Sequence, residues 1–149
     1  MNLRLLQISD SALPISGYTH SWGLEGAIAR GLVRDAETLE GWTLRWLRTS
    51  LGPLEGVLVA SACREARTGK IAGLRDLNLL ADATMVAPTL RTASREMGGQ
   101  LLALAATWAW SAESLRPYLD PAGGETRHWH HPVAFGLLGA WPAPSPTRS

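Results

Sequence analysis

Serine, aspartate and histidine side chains share one short segment near the start of the chain, residues 9–25 (SDSALPISGYTHSWGLE). These three residue types could form a nucleophilic triad if they were held in hydrogen-bonding order. The sequence offers neither a G-x-S-x-G elbow nor the loop of backbone donors that accompanies it in hydrolases. His20 and Glu25 are five residues apart, so they do not share one helix face closely. We therefore predict a structural or partner-facing loop rather than a catalytic one.

A second group of reactive side chains is the run His128, Trp129, His130 and His131. Imidazole is a good ligand for zinc, nickel or copper, so three histidines in four residues could supply several ligands. No cysteine or carboxylate stands beside them at a standard metal spacing, although Glu125 is near. The three histidines are therefore weak candidates for a metal site, and adventitious chelation is the competing interpretation.

Arg91 and Arg95 lie one helical turn apart and are followed by Gly98 and Gly99. Two glycines inside a helix cost about 1 kcal/mol each relative to alanine, so close packing should offset them. We predict that Gly98 lies at a tight helix–helix contact, where leucine would cost about 1–3 kcal/mol through overpacking. The arginine pair is either solvated above that crossing or part of a partner surface, for which arginine is well suited.

Several function classes are disfavoured by what the sequence lacks. It contains no G-x-x-x-x-G-K-[ST], G-x-G-x-x-G or H-E-x-x-H motif, hence no phosphate cradle and no standard hydrolytic metal site. Fourteen basic and thirteen acidic residues leave a net charge of +1, too little to indicate nucleic acid binding. The longest uncharged apolar run, residues 101–110, is about half a membrane span, and the N-terminus has no signal-peptide pattern. With Cys63 as the single cysteine, we expect a soluble, cytoplasmic chain.

Composition predicts an all-α fold. The 149 residues suffice for one domain, and 24 Leu and 21 Ala stand against only 5 Val and 4 Ile. Leucine and alanine favour helices, whereas strands draw on β-branched residues. We expect a single-domain bundle of about six to eight helices over residues 1–141, followed by a disordered Pro/Ser-rich tail over 142–149.

Glycine, proline and capping residues predict where the helices begin and end. Asp35 is a good N-cap, Gly69 a natural stop, and Gly52-Pro53 and Pro88 are expected breaks. The longest helix should run from Thr89 to about Trp110. Its apolar stripe is the clearest periodic signal in the sequence: Leu90, Ala93, Met97, Leu101, Leu104 and Trp108.

Three stretches in the same order resemble the urease accessory protein UreF family. The segment SDSALPISGYTHSWGLE is similar to the family's N-terminal signature, with Ser16 where glycine is usual. Arg91-Thr92-Ala93-Ser94 followed by Gly98 resembles its E-x-R-x-A-S-x-x-x-G helix, with Thr89 in place of Glu. The run from His131 to Gly136 resembles its H-P-V-x-F-G segment.

This resemblance implies an all-α, non-enzymatic maturation factor that forms a homodimer and binds a UreD/UreH protein. The complex would recruit the UreG GTPase and deliver Ni²⁺ to apo-urease, with no stably bound cofactor and neither nucleic acid nor membrane as partner. The candidate partner-binding residues are Tyr18, His20, Ser21, Glu25, Arg91 and Arg95. Of the loop histidines, His131 falls on the family pattern, and His130 is the next candidate.

The C-terminus departs from the family pattern. After Gly136 the family continues through further helices, whereas this sequence turns to proline and ends. We therefore expect the helical domain to be incomplete at its C-terminus. The alternative function is a small metal-binding or storage protein that uses His128, His130 and His131.

Overall fold

A computed structural model describes residues 2–69, 71–119 and 129–141. It confirms the all-α prediction, since these residues form helices and connecting turns and no strand. The helices are α1 (Leu3–Ile8), α2 (Leu24–Ala29), α3 (Ala36–Trp46), α4 (Val57–Thr68), α5 (Ile71–Thr84), α6 (Pro88–Ala105), α7 (Ala112–Leu119) and α8 (His131–Gly139). A 3₁₀ turn (Gly17–Thr19) and a π-helical stretch (Leu47–Gly56) complete them. The predicted tail, 142–149, lies outside the described residues.

Local signals fixed several helix ends as expected. The Asp35 side chain accepts the backbone N–H of Thr38 at 2.9 Å, which satisfies one of the free donors at the start of α3. Gly69 caps α4 in the left-handed conformation, with φ of 69°. Pro88 occupies the first position of α6, where its missing N–H has no helical partner to lose.

The predicted break at Gly52-Pro53 is wrong. The chain stays helical from residue 36 to 68, because the Leu47–Gly56 stretch widens into π-type turns that contain Pro53. A wider turn gives the proline ring more room beside the preceding carbonyls than an α-helix does. A Cβ on Gly52 would lie 2.8 Å from the carbonyl oxygen of Leu47, so the glycine also helps this turn to form.

Helix α6 ends at Ala105, earlier than the predicted end near Trp110. Thr107 and Trp108 donate to carbonyls only three residues back, which tightens the last turn. The buried Ser111 hydroxyl donates to the carbonyl oxygen of Ala105 at 2.6 Å and so takes an acceptor that a longer helix would use.

Helix α8 lies at the centre of the bundle, packed against α4 and α6. Its buried residues are Pro132, Val133, Ala134, Gly136, Leu137 and Leu138. Glycine permits both close crossings: a Cβ on Gly98 of α6 would overlap the carbonyl oxygen of Trp129, and one on Gly136 would overlap that of Val59 on α4. The backbones therefore approach more closely than any larger residue would allow.

The run of residues 36–56, which comprises α3 and the π-helical stretch, contains no buried side chain. Trp42 and Trp46 stack on each other one turn apart, with ring centroids 6.1 Å apart and planes at 9°. Leu39, Leu44 and Leu47 are exposed. None of the described helices is both long and apolar enough to cross a bilayer.

Candidate functional site

A groove of about 360 Å³ brings two of the three sequence motifs together. The N-terminal segment forms one side of it, and α6 and α8 contribute the rest. Its floor and walls are mainly apolar, and the lining residues are Ile8, Ser9, Asp10, Ser11, Leu13, Ile15, Gly17, Tyr18, Met97, His131 and Phe135. The sequence could not place His131 and Phe135 beside residues more than a hundred positions earlier.

The N-terminal segment reaches this position through unusual backbone geometry. Ser16 and Trp22 adopt positive φ values of 64° and 53°, and Gly23 follows at 96°. A positive φ is a rare conformation for a bulky side chain such as tryptophan and costs free energy that the surrounding structure must offset. Ile15 is buried, and the Ser16 hydroxyl lies 3.2 Å from the amide oxygen of Gln100 on α6.

The candidate contact residues of this segment are spread along it. Tyr18 lines the groove and is 83% exposed, an orientation in which its ring is available to a partner. His20 is half-buried and its ring contacts Trp22, with centroids 6.1 Å apart. Ser21 is half-buried and its carbonyl accepts the N–H of Leu24, whereas Glu25 is exposed in the first turn of α2.

Arg91 and Arg95 lie half-buried on α6, and Arg95 is paired with a carboxylate. Its guanidinium forms an ion pair with Asp82 of α5. The side chains of Arg95 and Asp82 are 40% and 32% exposed, so solvent reaches this pair. The pair therefore lies at the surface where α5 and α6 meet.

Asp82 also contacts a buried histidine on the inner side of the ion pair. Its Oδ1 lies 3.2 Å from Nε2 of His130, whose side chain is 0% exposed. Nδ1 of the same ring lies 3.1 Å from Oγ of Ser94. The His130 backbone N–H donates to Oδ1 of Asn78 at 2.8 Å, and the His131 N–H donates to Oγ of Ser94 at 3.2 Å.

These contacts define one consistent arrangement of protons around a neutral His130. Nε2–H donates to the Asp82 carboxylate, and the Ser94 hydroxyl donates to Nδ1 while it accepts the N–H of His131. Burial lowers the pKa of His130, against the opposing effect of Asp82, and the charges of Arg95 and Arg91 lower it further. Burial also lowers the pKa of His131. For Asp82, burial raises the pKa, but His130 and Arg95 outweigh it and the net shift is downward.

Serine, histidine and aspartate thus meet at Ser94, His130 and Asp82, not in the N-terminal segment. The two ring nitrogens have exchanged partners relative to the triad of hydrolases, since here Nδ1 faces the serine and Nε2 faces the carboxylate. Ser94 is 1% exposed, and its hydroxyl is already engaged with His130 and His131. A substrate has no access to this oxygen, so the cluster as folded serves to join helices.

The described residues contain no group of three histidine, cysteine or carboxylate side chains that could hold a metal ion. Both ring nitrogens of His130 are already within hydrogen-bonding distance of protein groups. The His131 ring contacts Phe135, with centroids 5.9 Å apart. His128 lies outside the described residues.

Sequence reasoning did not identify Asn78, Asp82 or Met97 as site residues. Asn78 and Asp82 lie one turn apart on α5 but about fifty residues before the histidine that they contact. Met97 was assigned to an apolar stripe, although its methyl group also lies beside Gly17 of the N-terminal segment, where a Cβ would be 3.1 Å from it. The two polar residues Asn78 and Asp82, one turn apart on α5, were the one available signal, and the sequence alone does not show that they face a buried histidine.

Comparison with known proteins gives a consistent match. A family model described as UreF matches residues 33–145. The urease accessory protein UreF of Paenarthrobacter aurescens is 37% identical over 136 residues, which cover 91% of this chain and 58% of that protein. The protein of the same name from Ectopseudomonas mendocina is 36% identical over 137 residues, covering 92% of this chain and 57% of that protein.

A third relative, urease accessory protein UreF from a Mycobacterium species, is 37% identical over 124 residues, covering 80% of this chain and 56% of that protein. The chain therefore spans between 56% and 58% of the length of these three relatives.

Proposed function

The chain belongs to the UreF family, and we propose that it acts as a non-enzymatic chaperone or scaffold for nickel insertion into apo-urease. In this proposal it bridges a UreD/UreH-type protein and a UreG-type GTPase, and it works as a homodimer in the cytoplasm. Ni²⁺ is cargo of the assembled complex, and this chain holds no cofactor of its own. The absence of a phosphate-binding motif fits the proposal, because the nucleotide then belongs to the GTPase.

The observation that carries the proposal is the groove in which the N-terminal segment meets α8. It is apolar, open to solvent and bordered by the exposed ring of Tyr18. Exposed aromatic side chains beside an apolar groove are typical anchor points of protein interfaces. We assign this groove to the UreD/UreH-type partner, and Tyr18, His20, Ser21 and Glu25 to its border. Arg91 and Arg95 form a second contact surface.

Replacing Tyr18 or His20 by alanine should weaken capture of the partner. The chain would be co-expressed with a UreD/UreH-type protein, and the amount of partner retained on the tagged chain would be measured. We expect Tyr18→Ala to reduce capture by about tenfold or more, because a well-packed interface aromatic contributes about 2 kcal/mol. Helix content measured by circular dichroism should stay unchanged, since Tyr18 buries little surface within the chain.

Val86→Ala is the matched control, because Val86 is also an exposed large apolar residue but does not line the groove. Equal capture by the Tyr18 and Val86 variants would reject the groove as the docking site. Tight binding of Ni²⁺ by the chain without any partner would favour the metal-storage alternative. Hydrolytic turnover that disappears in His20→Ala would contradict the non-enzymatic role.

A further inference from the structure

Asn78, Asp82, Ser94 and His130 form a cluster, here called the α8 latch, that holds the start of α8 against α5 and α6. Three hydrogen bonds converge on His130, through both ring nitrogens and its backbone N–H. A fourth fixes the next residue, because the His131 N–H donates to Ser94. Hydrogen bonds are directional, so together they set both the ring orientation of His130 and the backbone path into α8.

The outer end of the latch reaches the surface at Arg95. The Asp82 oxygen that lies 3.2 Å from Nε2 of His130 also accepts the Arg95 guanidinium. Arg95 therefore helps to hold the carboxylate in the position from which it contacts the buried ring. A change in the Arg95 pairing alters the position of the Asp82 carboxylate, and with it the contact between this carboxylate and the His130 ring.

The α8 latch directly precedes two residues that line the groove. His131 follows the latch directly, and Phe135 lies one turn further along α8, so both wall residues depend on where α8 begins. On α6, a Cβ on Gly98 would lie 2.8 Å from the His131 nitrogen, and the neighbouring Met97 lines the same groove. With backbones this close, α8 cannot shift without moving the groove wall relative to Met97.

We propose that Arg95 is a positioning residue for the groove: through Asp82 and His130 it sets the α8 wall formed by His131 and Phe135. The arginine surface and the groove are then one coupled unit, so a partner that engages Arg95 changes the shape of the groove. The importance of this coupling for partner docking rests on the function proposed above. The mechanical link itself does not, because it concerns this chain alone.

The test uses the methyl group of Met97 as a reporter in the full 149-residue chain without any partner. The methionine methyl signals are recorded by NMR, and the Met97 signal is assigned with Met97→Leu. We expect Arg95→Gln to shift the Met97 signal by more than its line width, and Arg95→Lys, which keeps the charge, to return it towards the original position. Asp82→Ala, on the other side of the ion pair, should shift it in the same direction.

Arg64→Gln and Asp76→Ala are the matched controls, since both residues are exposed and lie outside the latch, on α4 and α5. Neither should move the Met97 signal. The proposal is wrong if Arg95→Gln leaves the signal in place, or if the controls move it equally. Should Asp82→Ala fail to fold, the comparison of Gln with Lys at the half-buried position 95 still decides. A shifted Met97 signal together with unchanged partner capture would reject the docking assignment while the latch stands.

Discussion

Replacing Gly98 by alanine should lower the free energy of unfolding by about 2 kcal/mol, and leucine should lower it further. A Cβ at this position would overlap the carbonyl oxygen of Trp129 and lie 2.8 Å from the carbonyl carbon of His130. These are backbone atoms held by the α8 latch, so they cannot turn aside as a flexible side chain would. Overpacking of about 1–3 kcal/mol or more then outweighs the roughly 1 kcal/mol that alanine gains in helix propensity.

Urea unfolding followed by circular dichroism measures this effect, and Gly41→Ala is its control. Gly41 lies in α3 with no neighbouring atom within 4 Å of a Cβ, so alanine there should stabilise the protein by about 0.5–1 kcal/mol. The two substitutions are chemically identical, but the changes they cause in the free energy of unfolding should have opposite signs. A Gly98→Ala variant as stable as the parent would show that α6 and α8 are not in contact in solution.

Acidification from pH 7.5 to 5.5 should destabilise the fold. The pKa of His130 is lowered by burial, and by Arg95 and Arg91, beyond what Asp82 restores, and burial lowers that of His131. Below about pH 6.5 the unfolded chain therefore binds more protons at these histidines than the folded chain does. The stability that the neutral histidines permit is complete above the unfolded pKa of about 6.5 and is lost as the pH falls below it.

The free energy of unfolding should fall by up to about 1.4 kcal/mol per pH unit for each histidine that is protonated only on unfolding. Urea unfolding at a series of pH values measures this dependence directly. His130→Gln, which does not titrate, should have a shallower slope, whereas an unfolding free energy that is constant over this range would contradict the neutral state of His130. The lowered pKa of Asp82 acts in a separate window, since its stabilisation is lost only as the pH falls below about 4.

Features that depend on neighbouring residues could be predicted from the sequence. Asp35, Gly69 and Pro88 act within one turn of their own position, so their residue types were sufficient to mark helix ends. The break predicted at Gly52-Pro53 was wrong because the rule that proline ends a helix assumes α-helical turns, whereas a π-type stretch changes the space beside the proline.

The candidate site could be predicted only in part. The motif residues Tyr18 and His131 were identified one by one, but their meeting in a groove depends on how α8 crosses the bundle. The role of Asp82 was not predictable, because a carboxylate on a helix looks the same whether it faces water or a histidine about fifty residues later. Long-range contacts of this kind are set by packing rather than by local preference.

Residues 36–56, which bury no side chain, give the fold an uneven resistance to opening. Little apolar surface is lost to water when this run unwinds, whereas α8 cannot leave without exposing the centre of the bundle. Backbone amides of α3 should therefore exchange hydrogen with solvent orders of magnitude faster than those of α8, and a protease should cut first within this run. The centre of the bundle then opens slowly and residues 36–56 open fast. Any molecule that covers residues 36–56 will be detected because it slows the hydrogen exchange of their backbone amides.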